Sequence, residues 1–409
     1  MAKYNILVVP SDRTGVGYFR STKPHIYLEK MYPELFRVDI DYEAQLTKEH
    51  LQSYDLVHYH RTLGDYKDME ETLNTIEASG VPTIGDLDDY WDPGPNHPMH
   101  AMIVNTKLDE QIKNNVRLSR NIITTTPIFA KEMESITKGN VYVLPNSVDP
   151  EEKQFTSKPE KSERIRIGWL GGSSHLKDLE LVSNISWKLS NDDLLSKTQM
   201  VLCGFDIRGT MTYIDERGKQ QSRPIKPEET VWRKYEEFFT NGYKNISPAY
   251  LKFLKKWSNE DDSKFRDEPY RRVWTKPIST YATNYNLFDI SLAPIVESKF
   301  NEMKSQLKVI EAGFHKKCLI AQDFGPYTID LISARERGGK LNPKGNALLV
   351  ESNRNHKKWY QHIKYLIENP NLITDLGEKL YEHVNANYHL KVTTEKRKQI
   401  YEDIIKKGV

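Results

Sequence analysis

Lys304-Ser305-Gln306-Leu307-Lys308-Val309-Ile310-Glu311-Ala312-Gly313, running on into Cys318-Leu319-Ile320-Ala321, reads as a helix followed at once by a short apolar strand. A helix feeding a strand that is apolar on both faces is one step of a parallel α/β sheet. Lys304 and Ser305 are expected to open the helix, where unpaired N–H groups and the positive dipole end hold anions. Residues 304, 308 and 311 are spaced four and three apart, which puts two lysines and a glutamate on one face. Cations there suit phosphates, and a carboxylate a turn further in suits ribose hydroxyls, so the pattern fits a nucleotide-diphosphate sugar. An exposed helix laced by i,i+4 pairs is the alternative reading of the same residues.

Outward from this stretch the alternation continues in both directions. Residues 5–9, 55–60, 81–84, 122–125 and 141–144 are strand candidates, with a helix expected from about Lys23. A polar, lysine-rich stretch over 150–162 reads as a linker. Residues 164–168, 199–203, 290–293, 318–321 and 347–350 then repeat the pattern. The expected architecture is α/β: two Rossmann-like, doubly wound domains facing across a cleft. The domains span 1–155 and 163–389, and a charged helix within 390–409 crosses back onto the first.

At 409 residues the chain exceeds what one hydrophobic core supports. Its formal net charge of +2 describes a soluble globular chain, not a disordered tail or a general polyanion binder. No run approaches the roughly 18 apolar residues of a membrane span. Met1-Ala2-Lys3-Tyr4 leads into a strand rather than a signal peptide. The two cysteines, Cys203 and Cys318, each sit in an apolar run and read as core thiols of a reducing compartment. Cytoplasm is the expected location, and no zinc or disulfide framework is available.

Residues 205–276 break the rhythm. No strand is expected there, and aromatics such as Trp232, Tyr235, Phe239, Tyr250 and Trp257 are interleaved with Arg217, Lys219, Arg223, Lys255 and Arg271. The stretch reads as a helical insertion serving acceptor binding or association. Its aromatics form either the core of a small subdomain or a stacking surface for bases or sugars.

In order along the chain, several motifs resemble the retaining GT-B glycosyltransferases of the family-4 type. They are the glycine loop Ser11-Asp12-Arg13-Thr14-Gly15-Val16-Gly17, the strand Asp55-Leu56-Val57-His58-Tyr59-His60, and Val143-Leu144-Pro145-Asn146-Ser147-Val148-Asp149. Ile167-Gly168-Trp169-Leu170-Gly171-Gly172 and Asp289-Ile290-Ser291-Leu292-Ala293-Pro294 complete the set. Residues 12–21 and 85–90 further resemble glycosyltransferases encoded by tailed bacteriophages, some of which decorate hydroxymethylated bases of viral DNA. Host cytoplasm would then be the location. Two positions depart from the pattern: Trp169 stands where the family often has a diphosphate-binding arginine, and Met303 where it has the first of two glutamates. Cation duty then falls to Lys177, Lys304, Lys308, Arg20 or Arg208.

The resemblance implies a nucleotide-sugar co-substrate bound by the second domain, an acceptor on the first domain's side, and no metal cofactor. Cations and backbone N–H groups aimed at the leaving diphosphate stabilise the charge that develops there. Lys304, His175, His60 and Asp88 are the catalytic candidates, the last two orienting the acceptor hydroxyl. Gly15, Val16, Gly17, Gly172, Ser173, Ser174, Lys177, Ser305, Lys308 and Glu311 are the donor-binding candidates. Arg20, Arg61, Asp86 and Asp89 are assigned to the acceptor. The acidic group Asp86, Asp88, Asp89 and Asp92 reads as helix capping or acceptor contact rather than a metal site. The acceptor expected is a 5-hydroxymethylated pyrimidine in double-stranded DNA. A polysaccharide or other glycan is the alternative, and an inert double-Rossmann protein binding nucleotides or nucleic acid is a third reading.

Overall fold

The apolar runs of the first part of the chain assemble into one six-stranded parallel sheet. Its strands are β1 (Tyr4–Val9), β2 (Phe36–Ile40), β3 (Leu56–His60), β4 (Thr83–Asp86), β5 (Asn121–Thr124) and β6 (Asn140–Val143). They run in the order β2-β1-β3-β4-β5-β6. This computed structural model describes the chain apart from residues 1, 14, 96, 215–219, 244–245, 337–338 and 352–355. Side chains alternate across the sheet: Ile6 and Val8 of β1 pack with Leu28 and Tyr401, while Leu7 and Val9 pack with Leu73 and Ile76 on the other face.

The second part builds a like sheet from β7 (Ile165–Leu170) and β8 (Thr198–Phe205), then, after a hairpin of β9 (Thr210–Ile214) and β10 (Gln220–Pro224), from four more strands. These are β11 (Tyr270–Trp274), β12 (Ile290–Ala293), β13 (Cys318–Gln322) and β14 (Leu348–Val350). The order is β11-β8-β7-β12-β13-β14, with every pairing parallel. The two expected sheets are present.

The stretch from 205 to 276 differs from expectation. It holds the β9–β10 hairpin and β11, an edge strand of the second sheet. Tyr-Arg-Arg-Val-Trp hides as a strand because its arginines are buried by pairing, Arg272 with Glu236 at 2.6 Å and Arg271 with Glu160 at 2.7 Å. Trp232, Tyr235, Phe239, Tyr250 and Tyr270 join Ile167 and Leu202 in one core cluster. These aromatics are domain core, not a separate subdomain or a stacking surface. Arg217 and Lys219 lie outside the described residues. Within 150–162 a short helix, Lys153–Thr156, buries Gln154.

The last helix, Leu390–Lys407, packs on helix Lys23–Met31 and places Tyr401 and Ile404 in the first domain's core. The Tyr401 hydroxyl meets His25 Nε2 at 2.6 Å, His58 Nδ1 at 2.9 Å and the Arg397 guanidinium at 2.9 Å. Among the described residues no helix is long and apolar enough to cross a membrane.

Candidate active site

Loops leaving the C-terminal ends of parallel strands gather at one edge, and a crevice opens where strand order reverses. The first sheet reverses at β1 and β3, the second at β7 and β12. The loops after these strands face each other across a cleft of about 1220 Å³. Gly204, with φ +95°, lets the β8 end approach Gly171 so closely that a Cβ would lie 2.3 Å from its carbonyl oxygen.

Lys304, Ser305, Lys308, Glu311, His175 and Ser174 line the second-domain wall. The helix starts later than the sequence suggests, at Leu307 with Gln306 as N-cap, so Lys304 and Ser305 lie in the turn before it. Only Lys308 and Glu311 share its face. Lys304 holds its ammonium 5.0 Å from the centre of the Phe300 ring, and no carboxylate among the described residues lies within ion-pair reach of it. Burial lowers its pKa against the opposing charges of Asp178 and Asp89. Lys308 donates to the Leu170 carbonyl at 2.6 Å and lies over the Trp169 ring, so Trp169 packs a cation rather than replacing one. Burial, then the Lys304 charge, lower Lys308 to about 8.

Glu311 is 4% exposed and accepts from the hydroxyls of Tyr281 and Tyr285, the latter at 3.1 Å. Burial pushes its carboxyl up to about 8. His175 Nδ1 meets Asp178 Oδ2 at 2.7 Å. Burial lowers the ring to about 4, the Asp178 hydrogen bond opposing and the two lysines adding to the effect. Asp178 also accepts from Val296 N at 2.8 Å, so it fixes both His175 and the turn after β12.

On the first-domain wall Arg61 forks onto Asp88 at 2.9 and 3.1 Å and reaches Asp89 at 2.7 Å. Arg61 adopts φ +66°, uncommon for a non-glycine residue and typical of strained functional turns. Burial would raise Asp88, but the Arg61 charge and the His60 and Arg61 hydrogen bonds outweigh it and hold the carboxyl well below its usual range. The Asp88 charge pushes neighbouring Asp89 up to about 6. Gly15 and Val16 border the same cleft, with Tyr90, Pro93, Met99, Met102 and Ile103 further out.

Several expected site residues stand elsewhere. Arg20 and Asp86 form a fully buried ion pair at 2.8 Å and do not reach an acceptor. His60 is buried between Ser11 Oγ at 2.7 Å and Asp88 Oδ1 at 3.1 Å, behind the cleft wall. Gly17 is packed under its own loop, its N–H donating to Asp12 Oδ2 at 3.2 Å. Gly172 and Ser173 are outside the lining and offer their carbonyls to the Tyr235 hydroxyl. Lys177 faces solvent and pairs with Glu180, and Arg208 at the cleft mouth pairs with Asp206. Asp92 accepts from Gly94 N at 2.9 Å. Among the described residues no group of three His, Cys, Asp or Glu is placed to hold a metal.

Sequence reasoning missed Asp178, Tyr235, Tyr281, Tyr285 and Lys276. Lys276 follows β11 and lines the cleft, donating to Thr283 Oγ1 at 2.8 Å. Recognising β11 would have exposed it, because residues just beyond a parallel strand's C-terminal end face the crevice. Tyr235 had no sequence signal separating it from the aromatics around it.

No family model matches the sequence, and no curated protein matches it. Solved structures match over nearly the whole chain. Sucrose-phosphate synthase from Thermosynechococcus elongatus has a TM-score of 0.61 at 12% identity, covering 98% of this chain and 99% of that one. Anabaena Alr3699/HepE in complex with UDP-glucose has a TM-score of 0.60 at 11% identity, covering 98% and 100%. TarM has a TM-score of 0.52 at 14% identity, covering 92% of this chain and 57% of its own. At such identities the likeness establishes the fold, two Rossmann-like domains facing across a cleft in the GT-B arrangement.

Proposed function

We propose that this chain moves a glycosyl group from a nucleotide-diphosphate sugar to an acceptor hydroxyl, with retention at the anomeric carbon. The observation that carries the reading is one wall of the cleft. Lys304, Lys308 and His175 stand there beside the buried Glu311, in an architecture shared with a protein solved with UDP-glucose. Glu311 would take ribose hydroxyls in place of its tyrosines, and the cations would hold the diphosphate. The bond from the anomeric carbon to the diphosphate oxygen breaks as the acceptor oxygen bonds on the same face. The acceptor proton passes to the departing phosphate oxygen, so no separate base is required. Asp88 and Asp89 orient the acceptor, and His60 supports Asp88 from behind.

The acceptor we propose is a 5-hydroxymethylated pyrimidine in DNA, in keeping with the phage-like character of residues 12–21 and 85–90. A base extruded from the duplex would enter between apolar walls such as Tyr90, Met99 and Met102. One observation favours a neutral glycan instead. Arg61 is the only arginine or lysine that the first domain contributes to the described lining, and it is tied to Asp88 and Asp89. Mass spectrometry on duplex DNA with and without 5-hydroxymethylcytosine, supplied with a panel of nucleotide sugars, separates these readings. A sugar-sized gain on modified DNA alone supports the first. Donor hydrolysis without a gain on DNA turns the search to glycans, and no donor turnover leaves the inert binding protein.

A further inference from the structure

The segment between β12 and the helix Leu307–Phe314 belongs to the second domain by sequence but is held by both. Its root is fixed at home. Ser298 Oγ accepts from Asn301 N at 3.2 Å, and the buried Asn301 amide donates to the Val296 carbonyl at 2.9 Å and to Asp178 Oδ1 at 3.3 Å. Its far side is fixed to the first domain at four points. Lys299 pairs with Glu132 at 2.9 Å, and the Phe300 and His97 rings lie 5.2 Å apart. Ser305 Oγ accepts from Asn146 Nδ2 at 3.0 Å. Met303, only 2% exposed, is buried in the first-domain cluster of Leu87, Trp91, Val116, Ile122, Phe129 and Met133.

We infer that Met303 is a positioning residue: it anchors this strap on the first domain and thereby sets Lys304, the next residue, in the closed cleft. The inference rests on the transferase reading for its consequence, but not for its geometry. An exposed ion pair such as Lys299–Glu132 holds two domains weakly, whereas a thioether among packed aromatics excludes water and contributes more. Met303 is flanked by Lys304 and Ser305, so displacing it moves a cation that meets the reacting diphosphate. A shift of an ångström at such a group is enough to slow transfer strongly.

The test compares wild type, Met303→Ala and Met303→Leu by small-angle X-ray scattering, UDP affinity and UDP-glucose turnover. Met303→Ala should weaken UDP binding as Lys304 shifts, scatter as a looser particle and lose about tenfold or more in turnover, with Met303→Leu restoring all three. A folded Met303→Ala that scatters like wild type overturns the anchor. Looser scattering with full turnover overturns the positioning role. Should Met303→Ala fail to fold, the milder Met303→Val shortens the same buried contact, and scattering and turnover both like wild type there overturn the anchor. If wild type turns over no nucleotide sugar, the transferase reading fails while the scattering still judges the anchor.

Discussion

Glu311 pairs a cost of burial with a proposed role in donor binding. A carboxyl raised from 4.5 to about 8 by burial favours its protonated form in the folded protein. Its stabilising contribution is therefore complete below pH 4.5 and is lost as pH rises through about 8. Glu311→Gln should remove that dependence, so the variant gains on wild type by a few kcal/mol at most by pH 8 in thermal melts. The same variant should bind donor more weakly, because an amide cannot ionise to the carboxylate that would accept from both ribose hydroxyls once they replace the tyrosines. A wild-type melting profile that is flat over this window, or unchanged donor affinity in the variant, removes Glu311 from the role. Its companions tell a similar story. The spacing of 304, 308 and 311 was readable and all three line the cleft, but the helix starts only at Leu307, a boundary that propensity leaves open by a few residues.

At the scale of elements, the sequence showed most of the strands because parallel strands buried on both faces are nearly continuous apolar runs. It missed β2, whose Phe-Arg-Val-Asp-Ile alternation is the mark of an edge strand, and β11, where paired arginines masquerade as surface. The loops were harder, since burial is a tertiary property. Arg20 looked like a ligand-binding cation at the end of a glycine loop, yet it joins that loop to β4 through Asp86 and to the Leu144 carbonyl at 2.7 Å. Arg20→Ala should therefore cost about 3–5 kcal/mol in denaturant unfolding, because Asp86 is left charged and buried. A stable variant with only a raised acceptor KM would return Arg20 to the acceptor site. The long insertion teaches the same lesson in reverse, with its aromatics facing the β7–β8 core.

Across the whole molecule, the chain closes on itself through its last helix. Leu390–Lys407 fills the first domain's core with Tyr401 and Ile404, and the Tyr401 hydroxyl satisfies two buried histidines and an arginine. Truncation before Leu390 strips that cover and leaves His25 without its Nε2 partner. The truncated protein should be insoluble or lose first-domain protection in hydrogen exchange; full protection would show the helix to be dispensable.

In the proposed reaction the second-domain wall of the cleft binds and activates a nucleotide-diphosphate sugar. The most direct measurement is donor turnover by mass spectrometry, with UDP-glucose and related nucleotide sugars, for wild type and Lys304→Ala side by side. Wild type should release nucleotide, and the variant should lose about a hundredfold or more of that turnover, as for removal of a charge that meets the transition state. No turnover of any donor by wild type, or full turnover by Lys304→Ala, would contradict this role of the wall.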